Sequence, residues 1–165
     1  MGHNQYGHAE FDTTRSDVGE LLYQLKYRHD KAAIEPLADI VAKFLVDKWE
    51  PPIEAIIPVP PSNSRVVQPV MVVAETLAER IGIPLCKSCV KKTKQTPQLK
   101  DITDYDKKRE ALSDTFTVQR QNTAGKNPLL FDDLFDSGAT VSSITEALKE
   151  QGEAAAVYLL TLTWK

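Results

Sequence analysis

Apolar residues along the chain recur with two different periods, and the switches between them mark out the elements. From Glu20 to Arg28, Leu21, Leu22 and Leu25 fall at helical spacing, and a second amphipathic run carries Leu37, Ile40, Val41, Phe44 and Leu45. Ile53 to Val59 is rich in strand formers and closes on Pro58, Pro60 and Pro61, which predicts a strand. Gln68 to Ile81 predicts a helix with Pro69 in its first turn, Val70, Met71, Ala74, Leu77, Ala78 and Ile81 on its inner face, and Gly82 as its stop. Leu85 to Lys92 reads as the next strand, followed by a long polar segment, a short strand at Thr115 to Val118 and an apolar strand at Pro128 to Phe131. A helix from Ala139 to Gln151 then turns Val141, Ile144 and Leu148 inward and ends at Gly152, and Ala155 to Thr163 is the last strand. Strand, helix, strand repetition predicts an α/β fold: a twisted parallel sheet with helices on both faces, preceded by a small N-terminal helical region.

Composition narrows the class. At 165 residues the chain can bury about 70% of its unfolded surface, enough for one core, so a single domain is expected over 1–165. Apolar content of 42% and charged content of 26% are those of an ordinary globular protein. No apolar stretch reaches membrane-spanning length, and Met1 to Glu10 lacks the basic and apolar regions of a signal peptide, so the expected address is the cytoplasm. A net charge of −3 and a pI near 5.6 argue against a protein whose main task is gripping nucleic acid. Cys86 and Cys89 form a lone CxxC with no second pair and no histidine nearby, so a zinc site lacks half its ligands; in a strand their side chains would point to opposite faces, as structural thiols. His3, His8 and His29 have no metal-site spacing, and no metal site is assigned to the chain's own residues.

The chemistry concentrates between Leu129 and Thr140. An apolar strand buried on both faces would carry Asp132 and Asp133 to the carboxyl edge of the sheet, where open α/β folds place ligands. Ser137 to Thr140 then forms a loop of small residues that opens a helix: Gly138 permits positive φ, Ser137 and Thr140 offer hydroxyls, and the helix N-terminus adds a positive dipole end. That loop suits a phosphate. The two acids suit hydroxyl donors or a hydrated divalent cation.

This stretch resembles the phosphoribosyl-pyrophosphate (PRPP) signature of type I phosphoribosyltransferases, in which hydrophobic residues lead to two acids and then to a small-residue loop with Gly and a closing Thr. The resemblance implies that Asp132 and Asp133 hold the ribose hydroxyls and that Asp136, Ser137, Gly138, Ala139 and Thr140 bind the 5′-phosphate. Many members have Thr where this chain has Asp136; the 6-oxopurine enzymes carry Asp there, which implies a catalytic role for Asp136 at the acceptor. It also implies residues 1–50 as a helical hood, 51–165 as a PRPP-binding core, Mg²⁺ as cofactor, a nitrogen acceptor as partner and compatibility with a homodimer.

Two further segments share the expected sheet edge. After the first core strand come Ser62, Asn63 and Arg65, small donors and a guanidinium suited to phosphate oxygens, where the resembled family has its pyrophosphate loop. An ordinary Pro/Ser turn is the alternative. From Lys87 to Arg109 there are eight basic and three acidic residues in an acidic protein, and so long a polar connection is typical of a lid or binding loop. A mobile loop is therefore expected over about 91–114, with Lys91, Lys92 and Lys94 toward the pyrophosphate, or as a solvated surface. Leu22 to Tyr27, Ile57 to Pro60, Thr93 to Leu99, Arg109 to Leu112 and Phe116 are similar to the ComF-like branch, whose fuller members begin with a cysteine-rich zinc-binding segment not seen in this sequence. The expected activity is transfer of a 5-phosphoribosyl group from PRPP to a nitrogen nucleophile. Two alternatives stay open: a PRPP- or nucleotide-binding module without turnover, and an accessory protein in DNA uptake or repair.

Overall fold

The computed structural model describes residues 2–3, 9–10, 15–61, 67–94, 102 and 104–165. Two short strands, β1 (Gly2–His3) and β2 (Ala9–Glu10), pair antiparallel ahead of the helices, and no periodicity marks them in advance. Helix α1 (Asp17–Tyr27) begins where Ser16 Oγ accepts from the Gly19 N–H, with Asp17 and Glu20 in the first turn complementing the positive end of the dipole. A single 3-10 turn (Lys31–Ala33), capped by the Asp30 carboxylate, leads into α2 (Ile34–Lys48). Pro36 sits in the first turn of α2, where no intrahelical N–H bond is lost. There follow β3 (Ala55–Pro58), α3 (Pro69–Ile81), β4 (Val90–Lys92), α4 (Tyr105–Ala111), β5 (Phe116–Val118), the short α5 (Arg120–Thr123), β6 (Pro128–Phe135), α6 (Ala139–Glu150) and β7 (Tyr158–Trp164).

Strands β3, β6 and β7 run parallel in that order, and Leu85 adds to the sheet beyond β3 through a parallel bridge to Ile56. The side-chain period of two then divides the core. Ile56, Leu129, Phe131, Tyr158 and Leu160 face helices α1, α2 and α3, whereas Ile57, Leu130 and Leu159 face α6 and the β4–β5 pair. The expected helices on both faces of a parallel sheet are therefore present, and α1 and α2 share one core with α3 and the sheet. Arg80 near the end of α3 ties this layer together by pairing with Glu35 and Asp39 on α2.

Two predicted strands are redrawn. The signature strand runs on from Phe131 to Phe135, because β7 offers pairing partners past the apolar run: Asp132 stands opposite Thr161, Leu134 opposite Thr163 and Phe135 opposite Trp164. The expected strand from Leu85 to Lys92 is broken by a turn at Lys87 and Ser88, so Leu85 belongs to the parallel sheet and Val90–Lys92 to a separate antiparallel pair with β5. That turn brings the Cα atoms of Cys86 and Cys89 to 5.5 Å, and the two form a disulfide rather than the expected free thiols. The polar segment after β4 also contains a helix, α4, capped by Asp104 through the Lys107 N–H. Among the described residues no helix is long and apolar enough to cross a membrane.

Helix α6 is held at its far end by close backbone approach. Gly152 N–H donates to Ala147 C=O, Thr123 Oγ1 donates to Gly152 C=O at 2.7 Å, and Lys149 Nζ reaches the Ala155 carbonyl at 2.6 Å. A Cβ on Gly152 would stand 2.6 Å from Leu148 O, 2.7 Å from Thr123 Oγ1 and 2.8 Å from Val118 Cγ1. Gly152→Ala is expected to destabilise the protein by about 1–3 kcal/mol, the usual cost of overpacking, measured as a fall in the denaturation midpoint in urea. An unchanged midpoint would show that the three walls can separate freely.

Candidate functional site

The continuation of β6 decides where the two acids go. Successive side chains of a strand alternate, so Asp132 and Asp133 project to opposite faces of the sheet. Asp132 lines the cleft on the α6 side, together with residues 134–141. Asp133 meets Lys26 from α1 on the other side, at 2.8 Å between Nζ and Oδ2, with the two side chains only 14% and 16% exposed. The acids expected to work side by side are thus brought close in sequence but given different surroundings. The backbone still links them: the Asp133 N–H donates to Asp132 Oδ1 at 2.8 Å, and the Asp133 carbonyl accepts from Thr163 Oγ1 at 2.8 Å.

The loop after β6 has the form the sequence predicts. Gly138 has φ 77°, a left-handed conformation that side chains rarely adopt, and a Cβ there would stand 3.0 Å from Phe135 Cζ. It is also the N-cap residue of α6, and among the described residues no side chain caps that helix. The first-turn N–H groups of α6 have no intrahelical acceptor, and Ala139, Thr140 and Val141 line the cleft beside Ser137 and Gly138. Free amides, two hydroxyls and the dipole end together favour negative charge at this end of the cleft. The cleft measures about 90 Å³, closer to one tetrahedral anion than to a drug-sized ligand, which needs roughly 300 Å³ or more.

A residue without a sequence-level signal completes the cleft. Lys108 on α4 is only 7% exposed and places Nζ 3.3 Å from Asp136 Oδ2. Its helix is docked on α6: Ser143 Oγ donates to the Leu112 carbonyl at 3.1 Å, the Tyr105 and Ser142 hydroxyls are 3.4 Å apart, and Arg109 pairs with Glu146. Asp136 therefore meets a lysine and does not cap α6. Lys108 sits within a run of basic residues that looks uniformly solvated; only the docking of α4 separates it from its neighbours. By contrast, Lys91 and Lys92 belong to strand β4 rather than to a loop, and Lys94 follows it on the surface. Ser62, Asn63, Arg65 and the Thr96-Pro97-Gln98 stretch lie outside the described residues. Tyr23 and Tyr27 stack on each other with ring centroids 5.0 Å apart, Arg15 lies 4.0 Å over Tyr23, and Tyr27 is mostly exposed.

Electrostatics single out Asp132. Burial pushes its carboxyl up to about 7, the neighbouring Asp133 charge pushes the same way, and the Asp133 N–H and the Lys26 ammonium pull it back. A carboxyl poised near neutrality at the edge of this cleft can accept hydroxyl hydrogen bonds when ionised and donate one when protonated. Among the described residues no three His, Cys, Asp or Glu side chains come together as a metal site.

No family sequence profile matches the chain, and no curated protein matches it by sequence. Solved structures do match in shape. An adenine phosphoribosyltransferase from Saccharomyces cerevisiae, complexed with adenine and an imino-altritol bisphosphate, is similar over 84% of this chain and 72% of its own, with TM-score 0.53 and 18% identity. The adenine phosphoribosyltransferase of Thermoanaerobacter pseudethanolicus is similar over 84% of this chain and 83% of its own, at TM-score 0.53 and 14% identity. That of Trypanosoma brucei, complexed with AMP, pyrophosphate and ribose-5-phosphate, is similar over 81% and 53%, at TM-score 0.51 and 13% identity. The chain has the type I phosphoribosyltransferase fold.

The raised carboxyl makes a stability test of Asp132. Between the unfolded value of 3.8 and the folded value of about 7 the folded state holds the extra proton, so this group's stabilisation is full below that window and lost as pH rises through it. Asp132→Asn does not titrate. Its stability relative to the parent should therefore rise between pH 4 and pH 8, by up to about 4 kcal/mol at 1.36 kcal/mol per pKa unit, in denaturant titrations at each pH. A difference that stays flat across the range would show Asp132 to be an ordinary solvated carboxylate.

Proposed function

We propose that the chain is a phosphoribosyltransferase that transfers the 5-phosphoribosyl group of PRPP to a nitrogen nucleophile and releases pyrophosphate. One observation carries the reading: a single cleft joins Asp132, the loop from Asp136 to Thr140, the uncapped N-terminus of α6 and the buried Lys108. The fold supports it, as do the phosphoribosyltransferases of similar shape, one of them solved with AMP, pyrophosphate and ribose-5-phosphate. The ComF-like placement, the division into hood (1–50) and core (51–165), and a cytoplasmic setting belong to the same proposal.

In this reading the 5′-phosphate lies against the backbone N–H groups of Ser137 to Thr140, and Asp132 accepts from the ribose hydroxyls. Lys108 stands beside both, at the edge where the phosphates meet the loop. The nucleophile's lone pair forms the bond to C1 as the C1–O bond breaks, and that bonding pair leaves with pyrophosphate through a transition state of oxocarbenium character. Asp136 takes the proton or hydrogen bond of the nucleophile, and positioning with fixed charges provides the rest. Asp133, held by Lys26, has no such freedom, and the described residues do not fit a resident Mg²⁺ cage. Mg²⁺ is read as part of the substrate, carried on the pyrophosphate oxygens. A PRPP-binding module without turnover is the second reading, favoured by the engagement of Asp133 and Asp136 with Lys26 and Lys108.

Incubating the protein with Mg-PRPP and a panel of nucleobases and amines, with pyrophosphate as readout, separates the two. PRPP binding without pyrophosphate release under any acceptor would establish the module. Once an acceptor is known, Asp136→Asn should lower kcat by roughly ten- to ten-thousand-fold with little change in PRPP affinity. Near-normal turnover would remove Asp136 from the catalytic residues. Gly138→Val should abolish calorimetric binding of ribose 5-phosphate and PRPP alike, because a β-branched residue resists φ 77° and meets the Phe135 ring. A folded Val variant that binds both normally would place the phosphate elsewhere.

A further inference from the structure

The buried ion pair on the far face of β6 has no place in the transfer chemistry as described, yet it is connected to it. Lys26 projects from α1, and its Nζ stands 2.8 Å from Asp133 Oδ2 in surroundings that leave both side chains mostly covered. Removing such a charge from water is unfavourable unless a partner is held close, so the pair is a tight constraint on the Asp133 carboxylate. The Asp133 backbone is committed as well: its N–H holds Asp132 Oδ1 and its carbonyl accepts from Thr163 of β7. A side chain pinned at one face and a backbone hydrogen bond directed to the other form a two-step connection from α1 to the carboxylate in the cleft.

We infer that Lys26 is a positioning residue for the sugar end of the site: by anchoring Asp133 to α1 it fixes the N–H that aims Asp132 at the ribose hydroxyls. The inference rests on the reading of Asp132 as a ribose-binding acid. Lys26 touches no substrate in this account. It acts through geometry and through its charge. Among the described residues, the charged groups around Asp132 are Asp133 on the same strand, Lys26 on α1, and Lys108 and Asp136 across the cleft. Neighbouring β7 contributes Thr161 opposite Asp132, which does not titrate. Of these, Lys26 is the cation that lowers the Asp132 carboxyl, so its loss would leave that group protonated to higher pH.

The test measures ribose 5-phosphate and inorganic phosphate binding by calorimetry from pH 5 to pH 8.5, in the parent chain and in Lys26→Met, Lys26→Gln and Lys26→Arg. For Lys26→Met the inference expects at least a tenfold loss of ribose 5-phosphate affinity at pH 7 and an acid limb displaced to higher pH. Inorganic phosphate, which needs only the loop and α6, should bind within twofold of the parent. Lys26→Arg should restore most of the sugar affinity and the parent's pH profile, and Lys26→Gln keeps the question answerable if the Met variant does not fold. Unchanged ribose 5-phosphate affinity and pH profile in a folded Met or Gln variant would overturn the inference. So would an equal loss of phosphate and ribose 5-phosphate binding, which would indicate general loosening. If the parent binds phosphate but gains nothing from the ribose, the functional reading itself falls, and with it this role for Lys26.

Discussion

The backbone pairing of β6 with β7 beyond Phe131 is the constraint on which the site depends. Apolar burial accounts for the strand as far as Phe131; past that point the side chains are acids and half-exposed residues that would not hold a strand by burial alone. The ladder to Thr161, Thr163 and Trp164 keeps it extended, with the Thr163 hydroxyl bonded to the Asp133 carbonyl as an extra tie. An extended backbone imposes alternation, and alternation assigns Asp132 to the cleft and Asp133 to α1. Had the strand ended at the acids, both carboxylates could have turned to the same side. The edge strand thus determines the chemistry of its neighbour without contributing a charged group.

Two lysines then compensate the acids from opposite directions. Lys26 comes from the helical layer over one face, and Lys108 from α4, which is docked on α6 over the other. Both are largely covered, a rare state for lysine unless it is paired. The arrangement distributes charge along the signature so that Asp133 and Asp136 are directly ion-paired while Asp132 feels Lys26 only at longer range, and the Asp132 carboxyl is the one that rises toward neutrality. The cleft is consequently less acidic than its sequence suggests. Three uncompensated carboxylates would instead face the positive dipole end of α6 with like charges crowded on one another.

Much of this was legible in the sequence, for identifiable reasons. The helices α2, α3 and α6 declare themselves because each is long enough for the 3.6-residue period to repeat, and the loop around Gly138 because only a few residue types suit a left-handed turn at a helix start. Strand ends were less legible, since pairing with β7 is a property of two segments and hydropathy describes one at a time. The same limit hid α4: Tyr105 to Ala111 is polar throughout apart from its ends, and its single buried side chain is a lysine, which no hydrophobic pattern records. The partnership of Lys26 with Asp133 spans most of the chain length. Nothing local to either residue announces it.

The bridge between Cys86 and Cys89 has a consequence of a different kind. Cross-links stabilise by restricting the unfolded chain, and the effect grows with the length of the loop they close. A bond with two residues between its ends lies at the bottom of that scale, so its contribution to overall stability is small beside that of a cross-link joining distant segments. What it does restrict is direction. It stands where the chain leaves the parallel sheet at Leu85 and enters the antiparallel pair at Val90, and the Cys89 carbonyl accepts the Gln119 N–H just beyond β5. The bond therefore acts as a rigid elbow. The β4–β5 ribbon is thereby tied at the point where it leaves the sheet, beside the core in which Cys89, Val90 and Phe116 pack with Ile57, Leu130 and Leu148.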